Sequence, residues 1–305
     1  MDSLIQKQLW KHRIGISISG GNDDLSAHGF DEKDVNRVVR VIAETLLSHG
    51  GRLVFGQDWR PDGIMAEVLR LAQTYQSSGS RLQNYEDNNP MMVACVAWPD
   101  EPYADYSELQ RLRGILSVEI VGNPETLPHL PTRVHRVESV RAEAETRYLR
   151  ARSLTAMRHF LTEKCTARIC LGGKMRGSSG RFPGIIEEAL FALRAKKPLY
   201  LSGLLGGAAQ SLIEAIHGET TMPPDFCKPD PKIVHAFGLC ANKRPNEDDS
   251  LKPVEVWKEF RRFGLAGLSA LNGLSPVQNK QMFNAVTLNE VVGWLVMGLA
   301  KKRVE

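Results

Sequence analysis

The 305-residue chain lacks most of the short signatures that name a chemistry outright. It holds no GxxxxGK[ST], so it is not a P-loop NTPase, and no GxGxxG follows its first strand, which disfavours an NAD dehydrogenase. Eight histidines are scattered with no HExxH among them. The five cysteines (Cys95, Cys165, Cys170, Cys227, Cys240) are odd in number, and no pair has the two-residue spacing of a zinc or redox site. They read as free thiols in a reducing cytoplasm, so a cytoplasmic protein with no metal and no cofactor is expected. No run approaches the roughly 20 apolar residues of a membrane span. The opening MDSLIQKQLWKHRIG has no apolar core followed by small residues, so it does not read as a secretory signal. No membrane partner is expected. The net charge of +4 is too mild for a nucleic-acid coat, and no nucleic-acid partner is expected either. A small anionic ligand would suit such a chain if the positive charge is local.

What is present is globular in character. Hydrophobic residues at 42% and charged residues at 24% rule out disordered, collagen-like and mucin-like chains. Residues 13–21 (RIGISISGG) read as a short strand that ends in small residues, and 32–48 as a helix with apolar residues at helical intervals. Gly50-Gly51 stops that helix, a strand follows at 52–56, and a second helix opens near Gly63. The apolar run MMVACVAW at 91–98, bounded by two prolines, suits a strand buried on both faces. Helix 103–112, strand 115–121, a proline-rich loop at 122–135 and a long helix at 138–163 continue the pattern. Strand 167–171, helix 184–195, strand 198–201 and helix 206–217 complete it. The alternation predicts a Rossmann-like α/β fold, a doubly wound parallel sheet with helices on both faces. The region 218–253 reads as a surface excursion with a short apolar patch at 233–239, and the tail returns to helix at 254–262 and 289–300. One domain is the preferred parse, with a core at 13–217 and an elaborated carboxyl-terminal third.

Ligands of open α/β sheets sit beyond the carboxyl ends of the strands. Four loops at such ends are built of small or polar residues. The first carries Ser19, Gly20 and Gly21, the second Gln57, Trp59 and Arg60, the third spans 172–184, and the fourth carries Gly206 and Gly207. Glycines let backbone N–H groups approach a phosphate, and a following helix amino-terminus favours negative charge. The third loop holds Gly172, Gly173, Lys174, Arg176, Ser178, Ser179, Arg181 and Gly184. Its three basic residues are candidate phosphate contacts, against the alternative of a solvated basic loop. Trp59 and Arg60 invite adenine stacking, against a loop aromatic folded onto its helix. Glu187 and Glu188 open the next helix and read either as an acidic first turn or as a carboxylate aimed at a ligand.

Gly172-Gly173 followed by Pro183-Gly184-Ile185-Ile186-Glu187-Glu188 resembles a stretched PGGxGTxxEE motif of the LOG family, the lysine-decarboxylase-like nucleotide phosphoribohydrolases. Residues 46–56 resemble that family's second helix–G–strand unit, and Arg152 with Met157 its arginine-bearing helix. Residues 271–290 are similar to stand-alone bacterial members of the wider SLOG superfamily. The resemblance implies Glu187 as the catalytic glutamate and Arg152 as its arginine, with Arg147, Arg150 and Arg158 also open, and Glu188 as a tolerant neighbour. Ten residues (174–183) separate Gly173 from Gly184, and the family's threonine is Ile185, for which Ser178 and Ser179 stand as replacements. Hydrolysis is weakened more by these departures than nucleotide binding. The resemblance therefore implies a sensor or effector for a nucleotide-derived, ADP-ribose-like ligand, in a bacterial defence setting. An N-glycosidic hydrolase and an assembly scaffold are the alternatives, and a homo-oligomer is expected.

Overall fold

The computed structural model describes residues 9–20, 22–56, 63–77, 90–100, 106–112, 114–122, 140–240 and 252–302. Six strands form one all-parallel sheet: β1 (Arg13–Ser19), β2 (Arg52–Gly56), β3 (Met92–Ala97), β4 (Leu116–Val121), β5 (Ala167–Gly172) and β6 (Leu199–Ser202). Their spatial order is β4-β3-β2-β1-β5-β6. The chain steps outward from β1 to β4, then crosses back to lay β5 on the other side of β1. That reversal makes a switch point at the carboxyl ends of β1 and β5, where such sheets bind ligands.

The helices are α1 (Asn22–Ala27), α2 (Glu32–Ser48), α3 (Ile64–Ser77), α4 (Tyr106–Arg111), α5 (Val140–Lys164), α6 (Gly184–Arg194), α7 (Gly207–His217), α8 (Pro231–Cys240), α9 (Pro253–Asn272), α10 (Pro276–Phe283) and α11 (Leu288–Lys301). Side chains alternate across a strand, and the two faces of the sheet divide accordingly. Ile14, Ile16, Leu53, Phe55 and Ile169 pack with α2, α3 and α11. On the opposite face Val54, Val93 and Cys95 meet Met157 and Leu161 of α5, while Cys170, Leu199 and Leu201 meet α6, α7 and α9. β1 is unlike its neighbours. Its second face carries Gly15, Ser17 and Ser19, so room is left there for polar groups.

The carboxyl-terminal helices are fastened to the sheet edge. Asn272, fully buried, donates to Leu199 O at 3.0 Å and to Asn279 Oδ1 at 2.7 Å, and its carbonyl accepts from Tyr200 Oη at 2.9 Å. The expected surface excursion needs correction over 231–240. That stretch is the helix α8, and Phe237 packs edge-on to Tyr148 of α5 with ring centroids 5.0 Å apart. No described helix is long and apolar enough to cross a membrane.

Candidate functional site

A cavity of about 840 Å³ opens at the switch point. Its wall takes residues 16–20 from the end of β1, Phe55 and Gly56 from β2, Asp100 beyond β3, and Arg150, Leu154, Met157 and Arg158 from α5. Lys174, Gly177, Ser178, Ser179 and Pro183 of the β5–α6 loop close it, with Gly184, Ile185 and Glu188 from the start of α6. The size lies within the range of roughly 300–1,000 Å³ typical of ligand pockets.

Ser19, Gly20, Lys174, Ser178, Ser179 and Gly184 thus come together on one wall, as their loops suggested. Glu187, Arg152, Arg176, Arg181, Gly172, Gly173, Gly206 and Gly207 are not on it. Gly21, Gln57, Trp59 and Arg60 lie outside the described residues. Arg176 is exposed and faces Asp225 at 3.5 Å. Arg152 is half-buried elsewhere on α5. The four glycines serve close packing of the loops instead of lining the cavity. Gly173 N donates to Ser19 O at 2.7 Å and Ala208 N to Gly173 O at 2.9 Å. Gly207 has φ +61°, and a Cβ there would stand 2.3 Å from Gly173 O. Gly207→Ala is expected to lower stability by about 2–4 kcal/mol, from left-handed strain plus a clash with backbone. Urea unfolding checks this, and a change below about 1 kcal/mol would mean that the close approach is not required.

The two adjacent glutamates, about 100° apart around the helix, meet different partners. Glu187 is completely buried, with Oε2 2.6 Å from Arg158 Nη1, Oε1 2.9 Å from Thr155 Oγ1 and 3.4 Å from Arg181 Nε. Glu188 is the one on the cavity wall. Its Oε2 accepts from Arg168 Nη1 at 2.7 Å and from the Ser17 hydroxyl. The tolerant position expected at Glu188 is thus a cavity carboxylate tied to a buried arginine. Arg168 was missed altogether. Its signal is a charged residue inside the otherwise apolar strand ARICLG.

Arg158 offers unused donors. Its Nη1 serves Glu187 and Phe182 O, whereas Nε is buried with no partner and Nη2 has none among the described residues. The guanidinium passes close to Gly180 and Gly184, where Cβ atoms would stand 2.5 and 3.1 Å from Nη1 and Nη2. Nε is sealed from solvent, so Nη2 is the guanidinium donor left open to an anion. At the same place α6 begins with Pro183 at its N-cap, which supplies no side-chain cap. Its first N–H groups point outward with the positive end of the helix dipole. Lys174, also on the cavity wall, has no ion partner among the described residues. The arrangement suits a phosphate-bearing ligand.

The nearby thiols do not suit nucleophilic work. Burial pushes the Cys165 thiol up and that of Cys170 up to about 12, so both stay protonated at neutral pH. Among the described residues no group of three His, Cys, Asp or Glu is placed to hold a metal ion.

The SLOG cluster2 family profile matches residues 8–282, nearly the whole chain, and the protein belongs to that family. Searches of curated proteins and of solved structures give no significant match. Family and fold together make it a nucleotide-related Rossmann-like protein.

Proposed function

We propose that this SLOG cluster2 protein binds a nucleotide or nucleotide-derived ligand of the ADP-ribose type in the switch-point cavity, as a sensor or effector. One observation carries the reading. The Arg158 guanidinium, on the cavity wall, has an unused Nη2 where the uncapped α6 amino-terminus also opens. Both are anion donors, and Lys174, Ser178 and Ser179 add a cation and two hydroxyls from the loop above. Two arginines share the one carboxylate of Glu187, which leaves one positive charge at Arg158 and Arg181, and Lys174 on the cavity wall adds another for a ligand phosphate. A second phosphate of a diphosphate would have the same wall to meet. The bacterial defence setting is part of the proposal and comes from the family resemblance alone.

Titration with ADP-ribose and AMP, read by melting temperature and calorimetry, tests this. Ligand at a hundred times its Kd should stabilise the fold by about 2.7 kcal/mol. Lys174→Ala is expected to weaken binding about tenfold, the size of one charge-assisted bond, and to reduce its salt dependence. Arg176→Ala, whose partner Asp225 lies outside the cavity wall, should leave affinity within about twofold, as for an exposed ion pair. If neither nucleotide binds, the reading fails. If Arg176→Ala costs more than Lys174→Ala, the anion site lies elsewhere.

A further inference from the structure

Arg168 is 2% exposed as the second residue of β5, and an arginine is almost never so buried unless it is paired. Its register partner on β1 is Gly15, and a Cβ at Gly15 would stand 3.1 Å from the Arg168 Cζ and 2.7 Å from Cys165 Sγ. The chain gives up a side chain in a central strand to make room for this guanidinium. Arg168 Nη1 donates to Ser17 Oγ at 2.6 Å and to Glu188 Oε2 at 2.7 Å, and Nη2 to Thr162 Oγ1 at 3.3 Å. Ser17 also donates to Glu188 Oε2. One oxygen of Glu188 therefore carries both bonds. The other, Oε1, receives none from the described residues and lies beside Gly56, where a Cβ would stand 3.5 Å away. Glu188 is only 8% exposed, and both it and Gly56 are on the cavity wall.

A buried carboxylate with one oxygen fixed and the other open is a hydrogen-bond acceptor aimed at a donor on the ligand. Phosphates and protonless ring nitrogens cannot supply that donor, whereas sugar hydroxyls can. We propose that Arg168, itself outside the cavity, is a positioning residue that clamps Glu188 Oε2 together with Ser17 and so presents Oε1 to a ribose hydroxyl. This rests on the nucleotide reading above and adds to it a preference for ribose over deoxyribose. The preference exists because a deoxy ligand leaves Oε1 buried without a donor. A mutation that only loosens the fold lowers affinity for every ligand alike; loss of the clamp changes the ratio between them.

The test is the affinity of AMP against 2′-deoxy-AMP and 3′-deoxy-AMP, measured by calorimetry on the wild type, Arg168→Met, Arg168→Lys and Ser17→Ala. The wild type should favour AMP over at least one deoxy analogue by about tenfold, the cost of one unpaired buried acceptor. Arg168→Met should bring that ratio to within about twofold, with Arg168→Lys restoring part of it, since the ammonium can reach only one acceptor well. Ser17→Ala removes the second bond to Oε2 and supplies the same reading if Arg168→Met does not fold. A ratio unchanged in Arg168→Met and Ser17→Ala, with all affinities falling together, overturns the positioning role and leaves nucleotide binding standing. A wild type that binds AMP without discrimination does the same. A wild type that binds neither these three nor ADP-ribose overturns the nucleotide reading, and this one with it; one that binds ADP-ribose but none of the three overturns this one alone.

Discussion

Glu187→Leu is expected to lower the unfolding free energy by about 3–5 kcal/mol in the absence of any ligand, the usual cost of removing one member of a buried ion pair. Arg158 and Arg181 are 8% and 6% exposed, and both turn towards this carboxylate. Without it, two guanidinium charges stay in the interior without the carboxylate they share, Arg158 still donating to Phe182 O and Arg181 still over the Phe182 ring. The shift should appear in the urea midpoint at constant slope. Glu187→Gln should cost less, because the amide still accepts from Thr155 and from a guanidinium. The triple change Arg158→Met, Arg181→Met, Glu187→Leu should recover most of the loss, since matched apolar groups replace buried ion clusters at little cost. A Glu187→Leu protein within about 1 kcal/mol of wild type would mean that the cluster is not holding the β5–α6 loop.

That cluster also shows why the two glutamates were hard to tell apart in the sequence. A helix with one wet face reveals which residue looks where. Here Ile185, Ile186, Ala189, Leu190, Ala192 and Leu193 are all buried, so α6 has apolar neighbours around most of its circumference. Its phase carries no information on which carboxylate meets the cavity. The strands were more legible, because β2, β3 and β5 are short apolar runs bounded by glycine, proline or charge, and the six-stranded parallel sheet follows from them. The alternation in RIGISIS was an available clue that one face of β1 is polar. So was Arg168 within ARICLG, but only the register with Gly15 and Ser17 turns the two clues into one site.

Glycine pairs mislead in a different way. A glycine reports that something comes close, without saying what. At Gly172 and Gly207 it is backbone, Ser19 O and Gly173 O, whereas at Gly173 it is the Ile185 side chain and at Gly206 the His28 ring, with φ between +61° and +98°. In the carboxyl-terminal third, the capping boxes Ser275 with Gln278 and Thr287 with Glu290 mark the starts of α10 and α11. They were readable, whereas the docking of α8 on α5 depends on distant partners such as Tyr148.

Incubation of AMP or ADP-ribose with the pure wild type is expected to leave the glycosidic bond intact over hours. Cleavage passes through a transition state with oxocarbenium character, which a carboxylate must balance or must serve by activating water. Glu187 is in the position that the family resemblance marks as catalytic, yet it is wholly buried behind Arg158 and Arg181 and is not on the cavity wall. Glu188 does reach the wall, but its charge is already met by Arg168 and Ser17. A carboxylate so held serves as a hydrogen-bond acceptor, and turning it to activate water would leave Arg168 buried without its counter-charge. Chromatography of the nucleotide after incubation reads the result directly. Release of free base at an enzymatic rate would sink the sensor reading. The same experiment then assigns the residue. Glu188→Gln should cost about 10²–10⁴ in rate if the cavity carboxylate acts in catalysis. Glu187→Gln should then act mainly through stability, since its carboxylate touches two arginines and a threonine and is not itself on the cavity wall.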